Sequence, residues 1–120
     1  MQKLSEKQIE DAANALSERG SRNVILKLGD RGCYVALSDG TRKLLPAYRV
    51  KAVDTTAAGD AFNGALAVAL LNGEDPRSGA SWASAVAAVS VTRPGAQPSM
   101  PTPAEVARFL EENRGVKADE

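Results

Sequence analysis

Between Ser78 and Thr92 the chain carries no charge and, apart from Trp82, nothing larger than valine. This run limits the possible folds more than any other stretch. It is too short to span a bilayer, which takes about 20 apolar residues, and its several hydroxyls are out of place there. Its glycine, alanines and valines leave little side chain between the backbone and a neighbouring element, so the run predicts a helix packed closely inside the molecule. Asp75-Pro76 supplies the start, with Asp as N-cap and Pro at the first helical position, and Arg93-Pro94-Gly95 ends it.

The remaining elements complete an α/β pattern of helix, strands, then helices. Ser5 followed by Gln8 makes a capping box, and Ile9, Ala12, Ala13 and Leu16 share a helical face before Gly20. Val24 to Leu28 is a nearly continuous apolar run, the mark of a strand covered on both faces in a parallel or mixed sheet. Gly29-Asp30-Arg31-Gly32 breaks it. Cys33 to Leu37 and Thr41 to Leu45 flank Ser38-Asp39-Gly40, which predicts a hairpin, and Arg49 to Val53 reads as a short strand. A helix from about Ala58 to Leu71 places Phe62, Leu66 and Leu70 on one stripe. The last helix begins at Thr102-Pro103-Ala104-Glu105, a second capping box, with Val106, Phe109 and Leu110 inward. No internal repeat or low-complexity linker interrupts the chain.

With 120 residues, 43% of them hydrophobic, there is room for one domain and too much apolar content for disorder. Fifteen basic and fifteen acidic residues cancel, and no basic cluster is interleaved with aromatics, which argues against nucleic acid or an acidic membrane as partner. Cys33 is the single cysteine and there is no histidine, so an internal disulfide, a zinc cluster and a His-based triad are all excluded within this chain. A reduced, cytoplasmic setting is the expectation, since Met1 to Gln8 is polar and lacks a signal peptide's apolar core.

Chemistry concentrates in Asp54-Thr55-Thr56-Ala57-Ala58-Gly59-Asp60, where two carboxylates bracket small residues at a helix start. Two readings stand side by side. The first N–H groups of a helix have no internal acceptors and its dipole favours an anion, so the run can hold phosphate, with Asp60 as the nearest base. Asp, Thr and Gly also commonly form a turn and an N-cap. The paired glycines of Lys27-Leu28-Gly29-Asp30-Arg31-Gly32 likewise suit either a plain turn or a phosphate loop.

The segments DTTAAGDAFNGALAVALL and VTRPGAQPSMPT together resemble the C-terminal part of ribokinases, in the PfkB family of sugar and nucleoside kinases. The resemblance runs from roughly the first helix through Leu110. It implies the C-terminal part of the three-layer, Rossmann-like α/β fold of that family, with an incomplete sheet, and residues 1–120 as a single nucleotide-binding portion. Asp60 matches the family's catalytic base, which deprotonates the sugar hydroxyl that attacks the γ-phosphate of ATP; it therefore also meets the substrate. Ala57, Ala58 and Gly59 match the backbone anion hole, and Gly59 leaves room for the phosphate. Lys27, Leu28, Gly29, Asp30, Arg31 and Gly32 match the loop lining the ATP site. Lys27 stands where relatives often carry threonine, and either meets a phosphate or reaches solvent. Ser84 falls near the adenine position, or bonds back to its own helix. Asp54, Thr56, Ser90, Arg93, Gly95 and Ser99 match a monovalent-cation site, much of it backbone carbonyls, with Arg93 either orienting Asp54 or serving as a charge at a helix C-terminus.

The resemblance thus implies ATP-dependent phosphorylation of D-ribose to ribose 5-phosphate, with ATP, Mg²⁺ and K⁺ as cofactors. The partners expected are a small sugar and ATP, with no nucleic acid and no membrane. The N-terminal part that carries sugar binding, lid strands and the magnesium-associated motif in that family has no counterpart here. The chain alone is therefore expected to turn over poorly, and to form homo-oligomers or associate with the missing N-terminal part through open sheet edges. The alternatives are a non-catalytic remnant that binds nucleotide or a partner chain, and a kinase for another sugar or nucleoside.

Overall fold

A computed structural model describes residues 5–55, 58–93 and 101–113. Helix α1 spans Glu6–Glu18, followed by strands β1 (Val24–Lys27), β2 (Cys33–Ala36) and β3 (Arg42–Leu45), then helices α2 (Ala58–Leu71), α3 (Pro76–Val91) and α4 (Pro103–Glu112). These divide into two compact units, Met1–Leu45 and Pro46–Glu120.

In the first unit the Ser5 hydroxyl accepts from the Gln8 N–H at 3.1 Å while Gln8 returns a bond to the Ser5 N–H at 2.8 Å, so the expected capping box starts α1. Ile9 and Ala13 are buried, whereas Ala12 and Leu16, expected on the same face, are exposed. The three strands lie in the order β1-β2-β3, antiparallel throughout, with Val24 opposite Ala36 and Cys33 opposite Leu45. The apolar run at β1 was expected in a parallel or mixed sheet covered on both faces. Among the described strands β1 pairs with β2 alone, and Ile25 and Leu26 are half-buried. Val24 forms a core cluster with Ala13 and Ala36, and Leu26 packs against it. Arg42 fastens this unit: its Nη1 donates to the Leu37 and Thr41 carbonyls at 3.1 and 2.9 Å, and its Nε to Asn14 Oδ1 on α1 at 3.3 Å.

In the second unit the uncharged run forms α3, as expected. Asp75 caps it, its Oδ1 accepting from the N–H groups of Arg77 and Ser78, each at 3.0 Å. Gly79, Ala80, Ala83, Ala85, Val86, Ala88, Val89 and Ser90 are buried. The α2–α3 crossing is close: a methyl group built on Gly79 would sit 3.2 Å from Leu66 Cδ1 and 3.4 Å from Ala69 Cβ. Ala61, Ala85, Val86 and Val106 form the core of this unit, walled by Tyr48, Trp82, Phe109 and Leu110. Tyr48 and Phe109 meet edge to face with centroids 5.3 Å apart. The stripe expected on α2 is only partly inward, with Phe62 buried and Leu70 exposed. Arg49 to Val53, expected as a strand, has no ladder; the N–H groups of Val53 and Asp54 instead donate to the Val91 carbonyl at 2.6 and 3.1 Å. The end of α3 supplies an orphan carbonyl that competes successfully for those donors. No described helix is long and apolar enough to cross a membrane.

Candidate functional site

The candidate residues fall in both units. In the first, Gly29–Arg31 makes one turn of 3₁₀ helix between β1 and β2, closed by the Leu28 N–H on the Gly32 carbonyl at 2.8 Å and the Gly32 N–H on the Gly29 carbonyl at 3.1 Å. Gly29 has φ +61° and Gly32 φ +98°, backbone conformations that side chains with a Cβ resist. The glycines therefore serve the turn whatever else they do. Asp30 and Lys27 are exposed, while Leu28 and Arg31 are half-buried.

In the second unit α2 begins at Ala58, as expected, which puts Gly59 and Asp60 in its first turn. Their N–H groups belong to the set that a helix leaves without internal acceptors. The Ala58 N–H, expected in the anion hole, donates to the Thr55 carbonyl at 3.2 Å. Asp60 is exposed, free of packing constraints. Ser84 is half-buried in the middle of α3.

Asp54 and the end of α3 come together through the Asp54 N–H on the Val91 carbonyl. Asp54 is half-buried and Ser90 is buried, with its polar side chain satisfied. A carboxylate, a hydroxyl and helix-terminal carbonyls are hard oxygen donors of the kind a potassium ion takes, so the residues present fit such an ion. Thr56, Ala57, Gly95 and Ser99 lie outside the described residues. Among the described residues no three His, Cys, Asp or Glu side chains are gathered as a metal cluster.

Arg93 follows α3 and pairs with Glu105 in the first turn of α4, its Nη2 donating to Glu105 Oε2. Glu105 Oε1 accepts from the Thr102 N–H at 2.9 Å, and the Thr102 hydroxyl accepts from the Glu105 N–H at 3.2 Å. These bonds, the Thr102 N–H first and the guanidinium second, hold the Glu105 carboxyl down at about 2. Sequence reasoning saw Glu105 only as a capping residue. No local pattern announces a contact with a residue 12 positions away. Beside this pair lies an open depression of about 130 Å³ lined by Val89, Thr92, Arg93, Glu105, Arg108, Phe109 and Glu112. It is well below the roughly 300–1,000 Å³ of a small-molecule site.

A model of the pfkB family carbohydrate kinases matches residues 1–103. Ribokinase of Haemophilus influenzae is 40% identical over 100 residues, covering 83% of this chain and 32% of that protein. Fructokinase-1 of Oryza sativa is 39% identical over 97 residues, covering 73% and 29%. Among solved structures, ribokinase from Thermotoga maritima matches with TM-score 0.80 and 46% identity over 88% of this chain and 40% of its own. Arabidopsis thaliana ribokinase complexed with ribose and ATP matches with TM-score 0.79 and 33% identity, over 89% and 35%. A Vibrio cholerae fructokinase in a form bound to fructose, ADP and potassium ion matches with TM-score 0.77 and 29% identity, over 86% and 35%. The chain thus spans about a third of the length of the curated relatives it matches.

Proposed function

This chain belongs to the pfkB family of carbohydrate kinases, and from that premise we propose that it carries the nucleotide side of an ATP-dependent phosphorylation of D-ribose to ribose 5-phosphate. The observation that carries the reading is Asp60, exposed in the first turn of α2 at the end of the DTTAAGD run. A carboxylate there takes the proton from the attacking sugar hydroxyl. The N–H groups of Ala57, Ala58 and Gly59 face the negative charge that builds on the transferred phosphoryl group, and the Ala58 N–H leaves Thr55 to do so. Its present bond, at 3.2 Å, lies at the long end of the usual range.

The Lys27–Gly32 turn and Ser84 are assigned to ATP in this reading. Asp54, Thr56, Ser90, Arg93, Gly95 and Ser99 are assigned to a potassium site that orders the approach to α2. A cation held there would supply positive charge to the nucleotide side of the reaction. Magnesium would be brought by ATP, as fits an ion that keeps most of its waters and takes few protein ligands. Ribose is preferred because ribokinases from Haemophilus influenzae and Schizosaccharomyces pombe are 40% and 39% identical to the chain, against 36% for a deoxyribokinase; a fructokinase at 39% makes fructose the competing substrate.

The test is ADP release from ATP with D-ribose, D-fructose or 2-deoxy-D-ribose, on the wild-type chain and on Asp60→Asn. The increment over the sugar-free rate should be small on this chain and largest with ribose, and Asp60→Asn, which removes the general base, should abolish it. ATP binding with no sugar-dependent release would favour a non-catalytic nucleotide-binding chain. A larger response to fructose or deoxyribose would reassign the substrate.

A further inference from the structure

Two Asn-Gly pairs occur on or beside α2, Asn63-Gly64 inside the helix and Asn72-Gly73 just past its end. Asparagine followed by glycine readily loses its side-chain amide, because a glycine nitrogen, with no side chain crowding it, can close a five-membered ring on the asparagine Cγ. Closure needs that nitrogen released from its hydrogen bond and the backbone free to turn. Both asparagines are exposed, so access of water does not separate them. The backbone does. The Gly64 N–H belongs to the interior ladder of a helix that runs on to Leu71. The Gly73 N–H belongs to the cap: it donates to the Leu70 carbonyl at 3.1 Å, and the Glu74 N–H donates to the Ala69 carbonyl at 3.0 Å, with Gly73 at φ +86°. This is a Schellman closure that lacks its common supports. Glu74 stands where an apolar residue frequently packs back on the last turn, and α2 has no basic residue in that turn to meet the helix dipole. A helix end so held opens far more readily than a helix interior.

We propose that Asn72 is a site of spontaneous deamidation gated by the C-cap of α2, and that Asn63, with the same neighbour, is protected by the helix around it. When the cap opens, the Gly73 nitrogen loses its proton to water and attacks Asn72 Cγ. The N–Cγ bond forms, the Cγ–Nδ2 bond breaks, and the amide nitrogen takes up a proton and leaves as ammonia, which gives a cyclic imide. Water then adds to either imide carbonyl and opens the ring, so the net change is asparagine and water to aspartate or isoaspartate and ammonia. Either product places a negative charge at the end of α2, beside Glu74 and Asp75 and against the helix dipole. Isoaspartate also adds a backbone methylene to the link between Leu71 and Pro76, which carries Gly73 of the α2 cap and Asp75 of the α3 cap. The modified chain therefore loses stability where α2 joins α3.

The test is to age the whole chain in warm, mildly alkaline buffer, map deamidation by peptide mass, and label isoaspartate with an S-adenosylmethionine-dependent isoaspartyl methyltransferase. Label should accumulate at Asn72 and stay at background at Asn63, and Asn72→Gln should remove it. In chain aged unfolded in urea, the two asparagines should convert at similar rates. Glu74→Leu restores the apolar contact of the cap and leaves the Asn-Gly pair intact; it should slow conversion of Asn72 in the folded chain and leave it unchanged in urea. Should that variant self-associate, Glu74→Lys, which supplies a positive charge beside the helix end, is read the same way. The modified fraction, separated by ion exchange, should melt below the unmodified one. Equal conversion of Asn63 and Asn72 in the folded chain, or none at Asn72, overturns the proposal, as does a folded-state rate at Asn72 that neither Glu74 variant slows.

Discussion

Gly29 and Asp60, candidate residues in separate units, are constrained very differently. Gly29 sits at φ +61° with no heavy atom within 4 Å of where a Cβ would stand, so alanine there meets strain and no clash. Gly29→Ala should destabilise the chain by about 1–2 kcal/mol, and Gly29→Asn, which tolerates the left-handed region, by less; thermal melts of the two variants check the order. Asp60 is exposed and first-turn, so Asp60→Asn should melt within a few degrees of wild type while losing phosphoryl transfer. Asp75 offers a pH handle. The Ser78 N–H foremost, with the Ser78 hydroxyl and the Arg77 N–H, holds its carboxyl below the usual 3.8. The folded carboxyl thus binds its proton less tightly than the unfolded one, so its stabilisation is complete above pH 3.8 and is lost as the pH falls below it. Asp75→Asn keeps the cap and should flatten that part of the melting-temperature profile. Residue roles were legible where chemistry is local, as in the caps at Ser5, Asp75 and Thr102. The Arg93–Glu105 pair was not, because it depends on how α4 returns to the end of α3.

Among the elements, the small-residue helix is the one whose sequence most directly prescribes its environment. Gly79 lets α3 approach Leu66 and Ala69 of α2 closely. Gly79→Ala adds helix propensity of about 1 kcal/mol and asks only that the Leu66 tip shift slightly, so it should be near neutral. Gly79→Val adds branched bulk against the same crossing and should cost about 1–3 kcal/mol by denaturant titration. Helix boundaries followed caps and were legible to within a residue or two. The strands were less so. Val24 to Leu28 reads as a strand buried on both faces because apolar run length does not report which neighbours are present, and β1 pairs here with β2 alone among the described strands. Arg49 to Val53 has strand composition, but its donors are captured by the Val91 carbonyl.

For the molecule as a whole, the α/β fold of the ribokinase neighbours is present in part, with a sheet of three strands among the described residues. Val53, Val68 and Leu71 are 60%, 55% and 86% exposed, and Val68 and Leu71 lie one turn apart on α2. Sedimentation velocity at micromolar concentration should show species heavier than the 12.6 kDa monomer, and Val68→Lys with Leu71→Lys should reduce them. A monodisperse wild-type monomer would count against self-association. The central claim, that the start of α2 meets the phosphates of a nucleotide, is tested most directly by titrating the ¹⁵N-labelled chain with Mg·ATP and following its amide resonances. The account predicts that the Gly59 and Asp60 amides shift together along one saturable curve. Saturable binding that leaves both amides unmoved, or no binding at all, would contradict it.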